Sequence, residues 1–209
     1  MKSLICPIDA LTPQQMQDIA ARIDAGAVVV YPTDTVYGLG TCAFDGNAIS
    51  RIYQIKERPA TSALQILVGS SSQARSVAAW DERAEKLARA FWPGGLTMIV
   101  PASEKGAPLL RGFAGLGLRV PAHPSLVRLL SAMKSPLAST SANLHGRPVI
   151  KDEKELVAFF DGKADIVLTG GSLSRAASSV VDITAEPRLL REGAVSREEL
   201  EKVLGCSLK

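Results

Sequence analysis

The segment from residue 27 to residue 40 reads AVVVYPTDTVYGLG. Its first part, Ala27–Tyr31, is rich in β-branched residues and predicts a buried strand, which the following proline ends. The loop Thr33–Gly40 then brings hydroxyls, a carboxylate and glycines directly to the end of that strand. Because ligands of α/β proteins bind where strands end, this loop is a candidate binding loop. The alternative is a strand-ending turn in which Thr33 and Asp34 bond their own backbone.

Outside this segment, short apolar runs alternate with amphipathic stretches. Thr12 and Gln15 form a capping-box pattern that begins one helix, and Gly26 ends it. Further helices are predicted at 47–57, with Asn47 as the N-cap, and at 82–92, 125–133, 152–160 and 196–205. Further strands are predicted at 64–68, 96–100, 115–120, 137–140, 165–168, 180–183 and 188–191. Strands and helices that do not strictly alternate predict an α/β or α+β sheet with packed helices, in one domain spanning residues 1–209.

The composition is that of an ordinary globular protein, with 46% apolar and 22% charged residues. The net charge of +3 permits contact with nucleic acid, but its cations are scattered and form no concentrated basic stripe. Three widely spaced cysteines form neither a disulfide framework nor a zinc pattern and suit a reducing cytosol, so we expect a cytoplasmic protein. No apolar run approaches the ~20 residues that span a bilayer, so we expect no membrane contact.

Two polar motifs lie far apart in the chain. Lys56-x-Arg58 ends a predicted helix, and Ser139-Thr140-Ser141-Ala142-Asn143 follows a predicted strand. Cations, hydroxyls and amides are the groups that hold a phosphate chain without covalent chemistry. Cations also stabilise a helix C-terminus by ~0.3–1 kcal/mol, and that simpler interpretation suffices for Lys56 and Arg58 taken alone. Pro59 favours the functional interpretation, because it turns the chain so that both cations can flank a cavity mouth.

A lone arginine near the end of an apolar strand needs a partner, because an unpaired buried charge costs several kcal/mol. Arg119 therefore predicts either a protein carboxylate or an anionic ligand beside it. The same reasoning applies to Arg191, with Glu192 and Glu186 as alternative partners. Residues 170–179 predict a mobile loop over a site. No Ser-His-Asp arrangement, carboxylate pair or metal-ligand cluster stands out, so we expect no protein metal site and a function that rests on positioning and electrostatics.

Taken together, the chain resembles the YrdC/YciO family, the threonylcarbamoyl-AMP synthases, over nearly its whole length. The segments that carry the resemblance are YPTDTVYGLG, IKERP, WPGGLT, LRVPAHP, STSAN, SSVVD and LREG, at residues 31–40, 55–59, 92–97, 118–124, 139–143, 178–182 and 190–193. The resemblance implies a twisted, mixed and mostly parallel sheet around a positively lined cavity. It also implies a reaction of L-threonine, bicarbonate and ATP, with magnesium, to threonylcarbamoyl-adenylate and pyrophosphate. That product would serve the modification of an adenosine in certain tRNAs, completed by a separate transferase complex.

The family's functional residues carry over position by position. The positions that bind L-threonine are matched by Thr35, Arg119 and Ser178. The positions that bind the nucleotide and its phosphates are matched by Lys56, Arg58, Ser62, Ser139, Ser141, Asn143 and Arg191. Lys56 and Arg58 are expected to be catalytic, since they can neutralise the charge that builds as a carboxylate attacks the α-phosphate and pyrophosphate leaves.

Four departures from the family pattern are expected to matter. Glu57 stands where the family often has glycine, and Ser62 begins a segment that is usually Asn-Pro-Leu. Leu67 replaces a frequent histidine, and Glu192 replaces the proline of a usual Arg-Pro-Gly. They favour the YciO-type branch, whereas the intact Lys-x-Arg and Ser-x-Asn favour the synthase. The alternative is a non-catalytic module that binds tRNA, double-stranded RNA or ribosomal RNA through a basic cavity rim. Carbamoyl-adenylate chemistry on another acceptor, as in hydrogenase-maturation proteins, is disfavoured because we find no companion domains in this sequence.

Overall fold

The computed structural model describes residues 2–59, 62–171, 173 and 176–209. Its strands, in chain order, are β1 (Leu4–Pro7), β2 (Val29–Tyr31), β3 (Gly38–Cys42), β4 (Gln65–Leu67), β5 (Leu96–Val100), β6 (Leu116–Arg119), β7 (Leu137–Ser141), β8 (Ile166–Thr169), β9 (Ser179–Asp182) and β10 (Arg188–Arg191). Its α-helices are α1 (Pro13–Asp24), α2 (Gly46–Lys56), α3 (Ser71–Arg75), α4 (Glu82–Phe91), α5 (Pro124–Ala132), α6 (Glu153–Phe160) and α7 (Arg197–Leu204). Across these residues, none of the helices has the length and apolar character that a membrane span requires.

The described strands form one ten-stranded sheet in the order β1-β8-β2-β3-β7-β4-β6-β5-β9-β10. Four of its neighbouring pairs are parallel, namely β1–β8, β8–β2, β4–β6 and β5–β9. The other five, β2–β3, β3–β7, β7–β4, β6–β5 and β9–β10, are antiparallel. The expected mixed α/β sheet is therefore confirmed. Parallel pairs are not the majority that the resemblance implied, because consecutive strands such as β2 and β3 pair as hairpins.

Strand β2 explains why residues 27–31 are apolar without interruption. Val29 and Tyr31 pack on one face of the sheet against helices α1 and α5, whereas Val28 and Val30 pack on the other face against α2 and α6. All four side chains are fully buried. A strand covered on both faces needs a continuous apolar run and not an alternating one.

Several predicted boundaries are confirmed and others are wrong. The first and last helices have the predicted capping boxes, and the glycines that end them have positive φ. Helix α2 is capped by Asp45 and not by Asn47, because the Asp45 carboxylate accepts the N–H groups of Asn47 and Ala48. The expected loop Thr33–Gly40 is shorter, since strand β3 begins at Gly38.

Two further elements, β1 and α3, carried no sequence signal that we recognised. Strand β1 is a largely exposed edge strand, and α3 has only five residues, so neither has a clear apolar period. In the loop expected at residues 170–179, residues 172, 174 and 175 lie outside the described residues, and β9 already begins at Ser179.

Helix α2 ends in a turn that directs the side chain of Arg58 towards strand β7 of the sheet. The N–H of Arg58 donates to the carbonyl of Tyr53 at 3.0 Å, and the N–H of Glu57 donates to that of Gln54 at 3.1 Å. This pattern is a Schellman motif, which normally has glycine in the left-handed position. Glu57 occupies that position with φ 51° and is exposed. A glycine at this position would adopt the left-handed conformation without a steric cost. Glu57 adopts it although its β-carbon makes that conformation unfavourable.

We expect Glu57→Gly to increase the free energy of unfolding by about 1 kcal/mol, because glycine adopts the left-handed conformation without a steric cost. Urea denaturation of the purified protein measures this change. Glu57→Ala is the matched control, since it removes the same charge but retains the β-carbon, and it should not stabilise the protein. Equal stabilisation by both substitutions would show that the charge of Glu57, and not its backbone conformation, is the unfavourable feature.

Candidate active site

One cavity of about 750 Å³ opens beside the central strands of the sheet. All but one of the site residues predicted from the sequence line it: Thr35, Lys56, Arg58, Arg119, Ser139, Ser141, Asn143, Ser178 and Arg191. The exception is Ser62, whose backbone carbonyl accepts a hydrogen bond from the Tyr53 hydroxyl at 2.7 Å. The side chains are thus brought together, while their individual roles remain predictions.

The sheet order explains this convergence. Strand β7, with Ser139 and Ser141, lies between β3 and β4. Arg119 ends strand β6, which pairs with the other edge of β4. Ser178 directly precedes β9, and Arg191 ends β10 beside it. Residues far apart in the chain therefore meet because strands remote in sequence are neighbours in the sheet.

Lys56 joins helix α2 to the loop after β7. Its ammonium donates to the backbone carbonyls of Ser141 and Asn143 at 2.5 and 2.6 Å, and to Oδ1 of the Asn143 side chain at 3.2 Å. The residue is only 2% exposed. Burial, and then the charge of Arg58, lower the pKa of Lys56 to about 8. The three oxygen acceptors match the three N–H donors of a protonated amine.

Arg58 reaches the same wall of the cavity with spare donors. Its guanidinium donates to Oγ1 of Thr140 at 2.9 Å and to the carbonyl of Ala63 at 3.1 Å. Its Nε is buried and has no partner among the described residues. Burial lowers the pKa of Arg58 from its ordinary value. Its two terminal nitrogens each have a second N–H without a partner among the described residues, and these donors suit an anionic oxygen.

Arg119 has the protein carboxylate that the sequence left open as one alternative. It donates to Oδ1 of Asp34 at 2.6 Å, to the carbonyl of Gly94 at 2.8 Å and to Oγ1 of Thr35 at 3.2 Å. The side chains of Arg119 and Asp34 are only 4% and 10% exposed. A guanidinium has five N–H donors, so two remain without a partner among the described residues. Asp34 therefore holds the guanidinium of Arg119 in place and still leaves N–H donors for a ligand.

Arg191 and Ser178 belong to a chain of hydrogen bonds across β5 and β9. Arg191 donates to the carbonyl and to the hydroxyl oxygen of Ser178 at 2.9 and 3.1 Å. The Ser178 hydroxyl lies 3.0 Å from that of Thr97, which accepts from Gln65 at 2.6 Å. Neither of the carboxylates proposed from the sequence, Glu186 or Glu192, makes an ion pair with Arg191 among the described residues.

The lining carries a strong excess of positive charge. Five described residues contribute cations, namely Lys56, Arg58, Arg111, Arg119 and Arg191, whereas Asp182 is the only carboxylate among the lining residues. Burial, and then the charge of Arg119, lower the pKa of Arg191, just as Arg58 adds to the effect of burial on Lys56. The cations thus repel one another in pairs, and an anion bound between them relieves that repulsion.

Sequence reasoning missed Arg111. It lies in the loop before β6, has φ 47°, and its Nη2 donates to the carbonyl of Ala43 at 3.2 Å. A non-glycine residue with positive φ is uncommon and cannot be recognised from one sequence. The neighbouring Gly112 is a turn signal, but it does not tell which way the arginine side chain points.

A smaller recess of about 40 Å³ lies beside the main cavity. It shares Thr35, Arg119, Ser139 and Ser141 with the cavity and adds Leu67 to the lining. Where the family often has a histidine, this recess therefore has an apolar wall.

These features define an α/β protein with a large cavity lined by cations and hydroxyls, suited to a polyanionic ligand. The Sua5/YciO/YrdC family model, described as "Telomere recombination", matches residues 21–193, so the chain belongs to this family. A relative from Pyrococcus abyssi, named threonylcarbamoyl-AMP synthase, is 39% identical over 190 residues. The alignment covers 89% of this chain but only 56% of that relative. A relative from Mycobacterium tuberculosis is 38% identical over 209 residues, which cover 94% of each chain.

Solved structures agree with this assignment. The crystal structure of Pyrococcus abyssi Sua5 complexed with L-threonine superposes with a TM-score of 0.89 at 36% identity, over 98% of this chain and 62% of that one. The crystal structure of Escherichia coli YciO superposes with a TM-score of 0.83 at 28% identity, over 95% of this chain and 98% of that one.

We expect Arg119→Ala to lower the free energy of unfolding by about 3–5 kcal/mol, because it leaves the Asp34 carboxylate buried without its cation. Asp34→Asn added to Arg119→Ala removes that unpaired charge and should restore most of the loss. Urea denaturation compares the variants with Lys86→Ala, which breaks an exposed ion pair with Glu82 and should cost about 0.5 kcal/mol or less. No loss in Arg119→Ala would contradict the buried pairing.

We expect the tyrosines to ionise at higher pH in the folded protein than in the unfolded chain. Burial raises the pKa of Tyr37 from 10 to about 12, and it also raises the pKa values of Tyr31 and Tyr53. Between pH 10 and 12 the folded state therefore binds more protons, and its stability falls as the pH rises. Tyrosinate absorbance in native and urea-unfolded protein measures the difference. Coincident titration curves would show that the tyrosines are accessible to water.

Proposed function

We propose that this protein is an L-threonylcarbamoyladenylate synthase, which converts L-threonine, bicarbonate and ATP into threonylcarbamoyl-AMP and pyrophosphate. The observation that carries the proposal is the gathering of cations and hydroxyls from α2, β6, β7 and β10 around one cavity. The relative named threonylcarbamoyl-AMP synthase and the related Sua5 structure with L-threonine support it.

The cavity has two sets of donors that suit two anionic parts of the substrates. Two N–H groups of Arg119 have no partner within the described part of the chain, so this guanidinium, beside Thr35, can pair with the carboxylate of the amino acid. Arg58 lies near Lys56, and its two terminal nitrogens each have a second N–H, without a partner among the described residues, that can meet a phosphoryl oxygen. Asn143 and Ser141, which Lys56 holds in place, suit the nucleotide.

In this proposal the threonine amine first adds to the bicarbonate carbon and gives a carbamate with loss of water. A carbamate oxygen then attacks the α-phosphate of ATP, a new P–O bond forms, and the bond to pyrophosphate breaks. The protein provides no nucleophile, and its contribution is to bring three anions together and to stabilise the charge on the departing pyrophosphate. The excess of cations in the lining is what such a crowded anionic reaction requires.

The described residues of the lining supply few ligands for a magnesium ion. Asp182 is the only carboxylate in the lining, and its Oδ1 accepts from the backbone and the hydroxyl of Thr184. Groups of three or more metal-binding side chains do not occur in the described part of the chain. We therefore propose that magnesium enters with the phosphates of ATP, as part of the substrate.

We further propose that the product passes to a separate tRNA threonylcarbamoyl-transferase complex, and that the protein works in the cytoplasm. Both proposals follow from the family resemblance and from the reactive nature of a carbamoyl-adenylate, whose mixed anhydride bond needs a prompt acceptor. Direct contact with tRNA or double-stranded RNA would use the exposed cations at the cavity rim, of which Arg111 is one.

We expect pyrophosphate release that depends on both L-threonine and bicarbonate, and we expect Arg58→Ala to lower its rate by about a hundredfold or more. Arg58 is a better test than Lys56, because removal of Lys56 would also release the loop at Asn143. Lys86→Ala removes a cation from the exposed surface and should leave the rate unchanged. A coupled pyrophosphate assay with purified protein, ATP and magnesium measures the rates.

The competing hypothesis is a non-catalytic, YciO-like module that binds RNA. This chain and the YciO structure cover 95% and 98% of each other, so the chain is similar to that structure over nearly its whole length. The RNA-binding hypothesis predicts no pyrophosphate release above that of Arg58→Ala. It also predicts an RNA affinity that falls steeply with salt and survives Asn143→Ala. That combination of results would replace the synthase proposal.

A further inference from the structure

The side chain of Tyr31 lies across strand β3 in the space left by two glycines. A β-carbon on Gly38 would lie 2.5 Å from the Tyr31 ring, and one on Gly40 would lie 3.0 Å from its hydroxyl oxygen. Tyr31 is fully buried. Gly38 therefore makes room for the Tyr31 ring beneath the cavity, whereas Gly40 makes room both for the Tyr31 hydroxyl and for the backbone carbonyl of Ala138, which would lie 2.6 Å from a β-carbon there.

The Tyr31 hydroxyl makes its hydrogen bond with a residue of the cavity lining. Its oxygen lies 2.5 Å from Oγ of Ser139 on strand β7. Because the tyrosine is enclosed and has no other acceptor among the described residues, its proton must be donated to Ser139. Burial raises the pKa of Tyr31, so the phenol keeps that proton.

This contact restricts the direction of the Ser139 hydroxyl. A serine hydroxyl has one donor and two acceptor positions, and one acceptor position is used by Tyr31. The Ser139 hydroxyl makes no other hydrogen bond with the described residues. Ser139 lines both the main cavity and the smaller recess, so its own O–H is free to point into that space.

Ser139 also lies between the two predicted sets of binding residues. It is opposite Gly40 on one side and Gln65 on the other in the sheet. The recess that it lines also includes Arg119, of the predicted threonine-binding set, and Ser141, of the predicted nucleotide-binding set. A donor in this position faces the place where an amino-acid carboxylate and a phosphoryl group would meet.

We propose that Tyr31 is a positioning residue, which holds the single O–H donor of Ser139 towards an anionic oxygen of the substrate. The inference rests on the proposed function, because it takes that oxygen to belong to L-threonine or to ATP. Tyr31 acts only through Ser139, since its own hydroxyl is sealed beneath β3.

The experiment is a thermodynamic cycle on wild type, Tyr31→Phe, Ser139→Ala and the double variant. Calorimetry measures the dissociation constants of L-threonine alone and of ATP alone for each protein. We expect Ser139→Ala to weaken the binding of one of the two ligands by about tenfold, because a hydrogen bond to a charged group is lost. Tyr31→Phe should weaken the same ligand by about three- to tenfold. In the double variant, Tyr31→Phe should add no further loss to that of Ser139→Ala.

Thr41→Val is the matched control. Thr41 is fully buried on β3, and its hydroxyl donates to the carbonyl of Ala27 at 3.0 Å, away from the cavity. It loses one buried hydrogen bond, as Tyr31→Phe does, and should leave both dissociation constants unchanged. A stability loss without a loss of affinity in Tyr31→Phe would show that the tyrosine has only a packing role.

The outcomes separate this inference from the proposed function. If wild type binds L-threonine and ATP, but the losses from Tyr31→Phe and Ser139→Ala add independently or are absent, the positioning role is overturned and the synthase proposal stands. If wild type binds neither ligand, both are overturned. The ligand that loses affinity identifies the oxygen, carboxylate or phosphoryl, that Ser139 contacts.

Discussion

The cavity depends on one buried ammonium. Lys56 donates to two backbone carbonyls and one amide oxygen of the segment Ser141–Asn143, so that the end of helix α2 and the loop after β7 form one wall. The carbonyl of Lys56 also accepts the N–H of His145, which adds a backbone connection to the same junction. A buried cation without acceptors would cost several kcal/mol, so Lys56 requires these oxygens. The Ser141 carbonyl and the Asn143 amide oxygen also accept hydrogen bonds from Asn143 N–H and from the Ser141 hydroxyl, so the loop contributes to its own geometry.

The cavity lining holds positive charges close to one another, and these charges repel. Arg58 lies near Lys56, and Arg119 lies near Arg191. Asp34 pairs with Arg119 and holds its guanidinium at the cavity, while Asp182 is the only carboxylate among the described residues of the lining. Such an arrangement is costly in the empty protein and favourable with anions bound, which is the electrostatic property that a site for ATP and an amino acid needs.

Three of the departures from the family pattern affect different features of the protein, namely the backbone, the surface of the recess and a backbone hydrogen bond. Glu57 changes the backbone energy at the end of α2, because a left-handed residue there is normally glycine, and its side chain is not part of the cavity lining. Leu67 changes the surface of the small recess directly. Ser62 contributes through its backbone, by accepting a hydrogen bond from Tyr53. Of the three, Leu67 is therefore the one whose side chain meets the space available to a ligand.

The sequence by itself determined the kind of chemistry available and much of the secondary structure. The apolar run before Tyr31, the two capping boxes and the positively charged end of α2 are local signals, because each depends on residues close together in the chain. Only the tertiary structure decided that Asp34 pairs with Arg119, that Gly38 and Gly40 accommodate Tyr31, and that Arg111 reaches the cavity. The physical reason is that these contacts join strands and loops whose neighbours are set by the order of the whole sheet, and no local pattern in the chain encodes that order.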